Sequence, residues 1–145
     1  MICTFIGHRD TPKSVKPVLR EVLVELITKH SVDEFYIGTH GSFDYIVLET
    51  LKELKKEFLH IKYTNVLAYI AGEREYYEEY ESTIFPDVLE NTPPRFAINK
   101  RNKWMIEKSD YVVCYVWQTL TNAGEFLEFA KRKGKKIINL AKIQV

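Results

Sequence analysis

The sequence predicts an α/β domain: a mainly parallel sheet of about five strands, wound with helices on both faces. Three observations lead there. Short runs of β-branched and aromatic residues alternate with longer segments of helical spacing, the order that feeds parallel strands through crossover helices. The run from Tyr111 to Trp117, YVVCYVW, is apolar throughout, as in a strand covered on both faces rather than one. Polar, glycine-bearing turns directly follow strands, so in a parallel sheet they would open on the same edge.

Each element has a local reason. Ile2 to Ile6 is a short apolar strand that enters the turn Gly7-His8-Arg9-Asp10-Thr11-Pro12. Val15, Val18, Leu19, Val22, Leu23, Leu26 and Ile27 then return to one face at helical spacing, with Pro17 in the first turn, where a missing N–H costs least. Phe35-Tyr36-Ile37 is the second strand and ends in Gly38-Thr39-His40-Gly41-Ser42. Phe43 to Phe58 is helical with Val47, Leu51, Leu54 and Phe58 inward, and Ile61 to Leu67 is the third strand. After an interruption come a helix over 97–108, the strand 111–117, a helix over 124–133 and a last strand from Lys136 to Leu140. The interruption, 68–96, reads as an irregular insert or lid: Pro86, Pro93 and Pro94 rule out one continuous helix. Its acidic, tyrosine-rich run from Glu73 to Glu81 is either a solvated helix face or a cover over a site.

Composition narrows the function classes. A chain of 145 residues and 17.1 kDa is one domain, and a net charge of +1 creates no general field for nucleic acid or membrane. The basic run from Lys131 to Lys136 is a helix end with Gly134 as its stop, where cations complement the helix dipole, so nucleic acid is not the expected partner. Cys3 and Cys114 lie inside apolar strand runs, which suggests buried, reduced thiols of a cytoplasmic protein rather than disulfides or metal ligands. Four histidines without ligand spacing add no metal site, and no cofactor is expected. The chain opens on a strand rather than a signal peptide, and no apolar run approaches the ~20 residues that span a bilayer.

The helix over 97–108 carries an anomaly. Ile98, Arg101, Asn102 and Met105 share one face, flanked by Trp104, so a guanidinium sits on an inward stripe. An unpaired buried charge is too costly to persist, so something acidic is expected beside it. Arg101 holds either an anion such as a nucleotide phosphate or a neighbouring Asp or Glu, with Asn102 capping a nearby loop. The three turns Gly7-His8-Arg9, Gly38 to Ser42 and Thr121-Asn122-Ala123-Gly124 are expected around it. Two of them lead into helix N-termini, which favour anions, and Gly38, Gly41 and Gly124 would let backbone approach a phosphate. Asp44 either serves its helix dipole, with Ser42 as N-cap, or takes a ribose hydroxyl or Arg101.

These residues resemble a known family. Thr4-Phe5-Ile6-Gly7-His8-Arg9 resembles the Thr-x-x-Gly-His-Arg opening of the YpsA-like branch of the SLOG superfamily of Rossmann-like domains. Gly38 to Asp44, GTHGSFD, is similar to that branch's glycine-rich loop, and Arg101-Asn102-Lys103-Trp104-Met105 with Ser109-Asp110 is similar to its Arg-Asn-x-x-Met helix. The resemblance implies a site for a nucleotide or nucleotide-derived molecule, such as the NAD-derived signals that some relatives sense, and a protein that self-associates. Tyr76, Tyr77, Tyr80 and Phe85 would then cover a sheet edge or an interface. A neighbouring branch, the LOG-type phosphoribohydrolases, splits a nucleoside monophosphate from its base. Arg101, Met105, Ser109 and Asp110 keep its spacing, but Asn102 replaces its Lys, and the stretch from Thr121 to Glu128 lacks its paired glycines, with Glu125 where it has Thr. One register places Glu128 on that branch's catalytic Glu; another, anchored on Ala130 and Gly134, matches none.

Two functions follow as expectations. In the first, a binding protein holds a nucleotide-derived ligand, as sensor or sequestering protein, through Gly7, His8, Arg9, Gly38, Thr39, His40, Gly41, Ser42, Asp44, Arg101, Asn102, Thr121, Asn122, Gly124 and Glu125. In the second, an N-glycoside hydrolase uses Glu128 with Arg101, provided that a Glu points into the crevice. On the helix after Thr121, Phe126, Phe129 and Ala130 claim the core, so at least one of Glu125 and Glu128 should face solvent.

Overall fold

The computed structural model describes residues 1–39, 41–69 and 82–143. It is a Rossmann-like doubly wound α/β fold. Six strands, β1 (Ile2–Gly7), β2 (Glu34–Ile37), β3 (Lys62–Val66), β4 (Ser82–Ile84), β5 (Tyr111–Tyr115) and β6 (Lys136–Asn139), form one sheet in the order β4-β3-β2-β1-β5-β6. Every pairing is parallel. The helices described are α1 (Lys16–Lys29), α2 (Ser42–Glu57), α3 (Pro94–Lys108) and α4 (Asn122–Arg132). From β1 the chain steps outward through β2 and β3 to β4, and α3 then carries it back across β1 to β5. The winding therefore reverses between β1 and β5, and a crevice opens beyond their carboxyl ends.

The alternation of inward side chains explains why both faces are dry. On one face Phe5, Phe35, Ile37 and Val113 pack under Leu19 and Leu23 of α1 and Val47 and Leu51 of α2. On the other, Ile6, Val112 and Cys114 pack against Ile106 of α3 and Ala123, Phe126, Leu127 and Ala130 of α4. Each buried Val, Leu, Ile or Phe among them contributes about 1.5–3 kcal/mol. Among the described residues no helix is long and apolar enough to cross a membrane.

The sheet has one strand more than the sequence suggests. β4 comes from the stretch read as irregular; it is only three residues long, and two of them are Ser82 and Thr83, so no periodicity marks it. Pairing with β3 creates it, helped by the Thr64 and Ser82 hydroxyls 2.6 Å apart. β5 stops at Tyr115 rather than Trp117, because the Asn139 side chain at the end of β6 takes over from a strand there. Its Oδ1 accepts from Val116 N at 3.1 Å and its Nδ2 donates to Val116 O at 2.9 Å. One polar residue is anomalous: Asn65 of β3, opposite Ile37 in β2 and Thr83 in β4, is fully buried with neither amide atom hydrogen bonded.

Candidate functional site

A crevice of about 270 Å³ lies where the winding reverses. It is lined by Gly7, His8 and Arg9 after β1, Asp44 of α2, Ile98, Arg101, Asn102 and Met105 of α3, and Thr121, Asn122, Ala123 and Phe126 at the start of α4, over a floor of Phe5 and Ile6. Four elements thus converge on one polar hollow with an apolar base.

Arg101 is the largest fully buried side chain among the described residues: only 1% of it is exposed. The inward stripe brings it there, since Met105 one turn on is equally buried against Tyr36 and Val66. Its Nη1 donates to Val66 O at 2.8 Å and its Nε to Asn102 Oδ1 at 2.8 Å. Asn102 therefore orients the guanidinium, where capping of a nearby loop was the expectation. Both acceptors are uncharged, so these bonds fix direction without neutralising the cation. Asp44 supplies the acidic neighbour: a Cβ on Gly38 would lie 3.1 Å from Asp44 Oδ2 and 3.2 Å from Arg101 Cζ and Nη2. Carboxylate and guanidinium close on the same backbone, and any side chain at residue 38 would press on both.

One helix N-terminus, that of α4, opens on the crevice, while α2 contributes only Asp44 of its first turn. At α4, Thr121 is the N-cap and its Oγ1 accepts from Gly124 N at 3.1 Å. That leaves the N–H groups of Asn122 and Ala123, first in the helix and lining the crevice, without an intrahelical acceptor. At α2 the N-cap is Gly41, with φ of 94°, and not Ser42. Ser42 is the first residue of the helix, and its hydroxyl instead shares its one proton between Arg9 O at 2.6 Å and Thr11 O at 2.9 Å, lashing the turn after β1 to the start of α2. Asp44 lies in the first turn of α2, where a carboxylate suits the positive end of the helix.

The glycines are occupied by protein. A Cβ on Gly124 would fall 2.1 Å from Thr119 O, one on Gly7 2.4 Å from the Phe43 ring, and one on Gly41 2.9 Å from Arg9 Cα. The expectation that Gly38, Gly41 and Gly124 make room for phosphate is thus replaced by close internal packing of the three turns. No protein-family model and no curated protein matches this chain.

His8 is buried and its orientation is set from both sides. Its carbonyl accepts from Thr11 N at 3.3 Å and from Thr11 Oγ1 at 2.6 Å, and its Nε2 accepts from Trp117 N at 3.2 Å. Since Nε2 is the acceptor, the proton of the neutral ring sits on Nδ1. The bond joins the turns after β1 and β5 directly across the switch point.

Of the residues expected at the site, Gly7, His8, Arg9, Asp44, Arg101, Asn102, Thr121 and Asn122 line the crevice. Gly38, Thr39, Gly41, Ser42 and Gly124 shape the turns behind it, and His40 lies outside the described residues. Tyr76, Tyr77, Tyr80 and the acidic run Glu73 to Glu81 also lie outside them, while Phe85 is half-buried beside β4. Glu125 and Glu128 are brought elsewhere. Both are exposed and border a separate hollow between α3 and α4 with Asn99, Lys103, Phe129 and Arg132, and Glu128 pairs with Lys131 at 3.3 Å. The helix geometry explains it: Ala123, Phe126, Leu127 and Ala130 face the sheet, which leaves positions 125 and 128 outward. Ser109 and Asp110 are structural and sit at the opposite edge of the sheet. Ser109 Oγ donates to Met105 O at 2.7 Å, and Asp110 Oδ2 accepts from Ile2 N at 2.9 Å.

Among the described residues no three His, Cys, Asp or Glu side chains cluster as metal ligands. Cys3 and Cys114 are free and buried. Burial pushes the Cys114 thiol up to about 12, against the pull of Lys131 and Lys142, and raises Cys3 as well, so neither is a thiolate at neutral pH. We expect Glu128→Gln to leave stability and any ligand affinity within about 0.5 kcal/mol of the parent, as for an exposed pair. Thermal unfolding and a binding titration check this; a tenfold change in affinity would return Glu128 to the site.

Proposed function

We propose that this chain binds a nucleotide or nucleotide-derived small molecule in the crevice between β1 and β5, as a sensor or sequestering protein. The observation that carries the reading is Arg101, a buried guanidinium oriented by Val66 O and Asn102 Oδ1, close to the Asp44 carboxylate, in the wall of a hollow onto which the α4 N-terminus opens. Anionic phosphate is the chemistry that such an arrangement favours, because the cation is already ordered and desolvated before the ligand arrives. Arg9, exposed at the rim, adds a second cation, and Asp44 offers acceptors to ribose hydroxyls. The resemblance of the three motifs to the YpsA-like branch of the SLOG superfamily points the same way. A hydrolase working through Glu125 or Glu128 gains no support, since neither carboxylate reaches the crevice.

The test is calorimetric titration with AMP, ADP-ribose and NAD, followed by mass spectrometry of the supernatant. Saturable binding of an intact nucleotide is expected, weakened about tenfold or more in Arg9→Ala, the loss of one charge-assisted contact. Arg9 is exposed, so that variant keeps its fold. If none of the three binds, the reading fails; if free base or nicotinamide accumulates, the chain is a hydrolase after all.

A further inference from the structure

The turn between β5 and α4 displays more apolar surface than a connection of its length requires. Trp117 is 62% exposed and Leu120 93% exposed, immediately before Thr121 and Asn122, which line the crevice. Exposed loop residues of this size ordinarily move, yet the backbone under Trp117 is pinned from two other elements. Asn139 at the end of β6 holds both the N–H and the carbonyl of Val116, and His8 after β1 accepts from the N–H of Trp117. The indole stands edge-on to the His8 ring at 5.5 Å and 65°, and Tyr115, the last residue of β5, stands edge-on to His8 at 6.3 Å. His8 in turn forms part of the crevice wall. Trp117 and Tyr115 thus lie outside the crevice lining and reach it through His8, which places the indole beside the rim of the hollow.

Size gives the indole a purpose. The crevice, at about 270 Å³, falls just below the range of about 300–1,000 Å³ typical of small-molecule sites. It suits a phosphate with its ribose, so the remaining planar part of a nucleotide must lie over the rim. We infer that Trp117 is the platform on which the ligand's base stacks, with Leu120 extending the apolar margin. The inference rests on the nucleotide reading and deepens it: the phosphate end is read by charge at Arg101 and Arg9, and the base is held by its π-face rather than by its edge. Stacking of this kind tolerates any base, because each presents an aromatic face. The chain should then discriminate weakly among AMP, GMP and CMP, and strongly between any of them and ribose 5-phosphate.

The experiment compares those four probes on the wild-type chain, Trp117→Ala and Trp117→Phe, with intrinsic fluorescence as a second readout. The chain has two tryptophans, and Trp104 is stacked on Tyr36 at 5.5 Å, so the signal missing from Trp117→Phe assigns any quenching. Expected are quenching of Trp117 by the nucleotides, a loss of about tenfold in their affinity in Trp117→Ala, little loss in Trp117→Phe, and unchanged affinity for ribose 5-phosphate. Equal weakening of AMP and ribose 5-phosphate would overturn the inference, because Trp117 would then act only by holding His8. So would nucleotide affinities that survive Trp117→Ala, whether or not the oligomeric state changes. Wild-type binding of ribose 5-phosphate as tight as that of AMP would overturn it while sparing the anion-site reading. Binding of none of the probes would overturn both.

Discussion

Arg101→Ala should destabilise the fold by about 3–5 kcal/mol and abolish ligand binding together. The substitution leaves Val66 O and Asn102 Oδ1 without this donor, takes the cation from beside the Asp44 carboxylate and removes a buried side chain from the crevice wall. A domain of this size is stable by only about 5–15 kcal/mol, so the variant would be marginal and its loss of binding ambiguous. Arg101→Lys separates the two roles. It keeps a positive charge, but one ammonium on a flexible stem cannot reproduce a planar fork that donates to two fixed acceptors. We expect urea unfolding to show a smaller loss than for alanine, and titration with AMP to show affinity lowered at least tenfold. Wild-type affinity in Arg101→Lys, with stability reduced, would make this guanidinium a structural strut and move the anion elsewhere.

The second large effect is expected at Gly124. The residue has ordinary helical backbone in the first turn of α4, so helix propensity alone predicts that alanine stabilises by about 1 kcal/mol. The packing predicts the opposite sign. An added Cβ would lie 2.1 Å from Thr119 O and 2.6 Å from Thr119 C, and both are backbone atoms that no rotamer change can move away. The turn from Val116 to Thr121 must shift, at a cost of about 1–3 kcal/mol or more. With roughly 3 °C per kcal/mol for a chain of this length, thermal unfolding resolves the sign easily. Because that turn also carries the Thr121 cap and the Trp117 N–H to His8, ligand affinity should fall along with stability. A Gly124→Ala variant that melts higher than its parent would show that the turn does not pack on the helix in this way.

The architecture was legible where one physical cause acts alone. The stripe from Val18 to Ile27 on α1 and the two-sided apolar run of β5 report burial directly, and burial is what patterning measures. Arg101 was legible for the same reason, as a charge on an inward stripe, but its acceptors were not: Val66 lies 35 residues away in sequence. β4 was missed because a strand of Ser, Thr and Ile at a sheet edge draws its stability from its neighbour and not from its own residues. Nor does the sequence KIIN of β6 announce that Asn139 will clamp Val116, since a side-chain cap of this kind depends on where two strand ends meet. Ser109 and Asp110 show the converse limit. Their spacing from Arg101 follows the helix, yet the helix runs the full depth of the sheet, so residues one motif apart end on opposite edges.

Asn65 of β3 sets a limit on the stability of the sheet. A buried amide whose donors and acceptor all lack partners carries an uncompensated desolvation of about 1–3 kcal/mol for each group. The native sequence thus stops short of the most robust one its own backbone would accept. That shortfall is tolerance in reserve. Filling the position with an apolar side chain of similar volume would widen the margin against which other, destabilising substitutions around the crevice can be tried, and so enlarge the range of ligands for which the scaffold can be re-engineered.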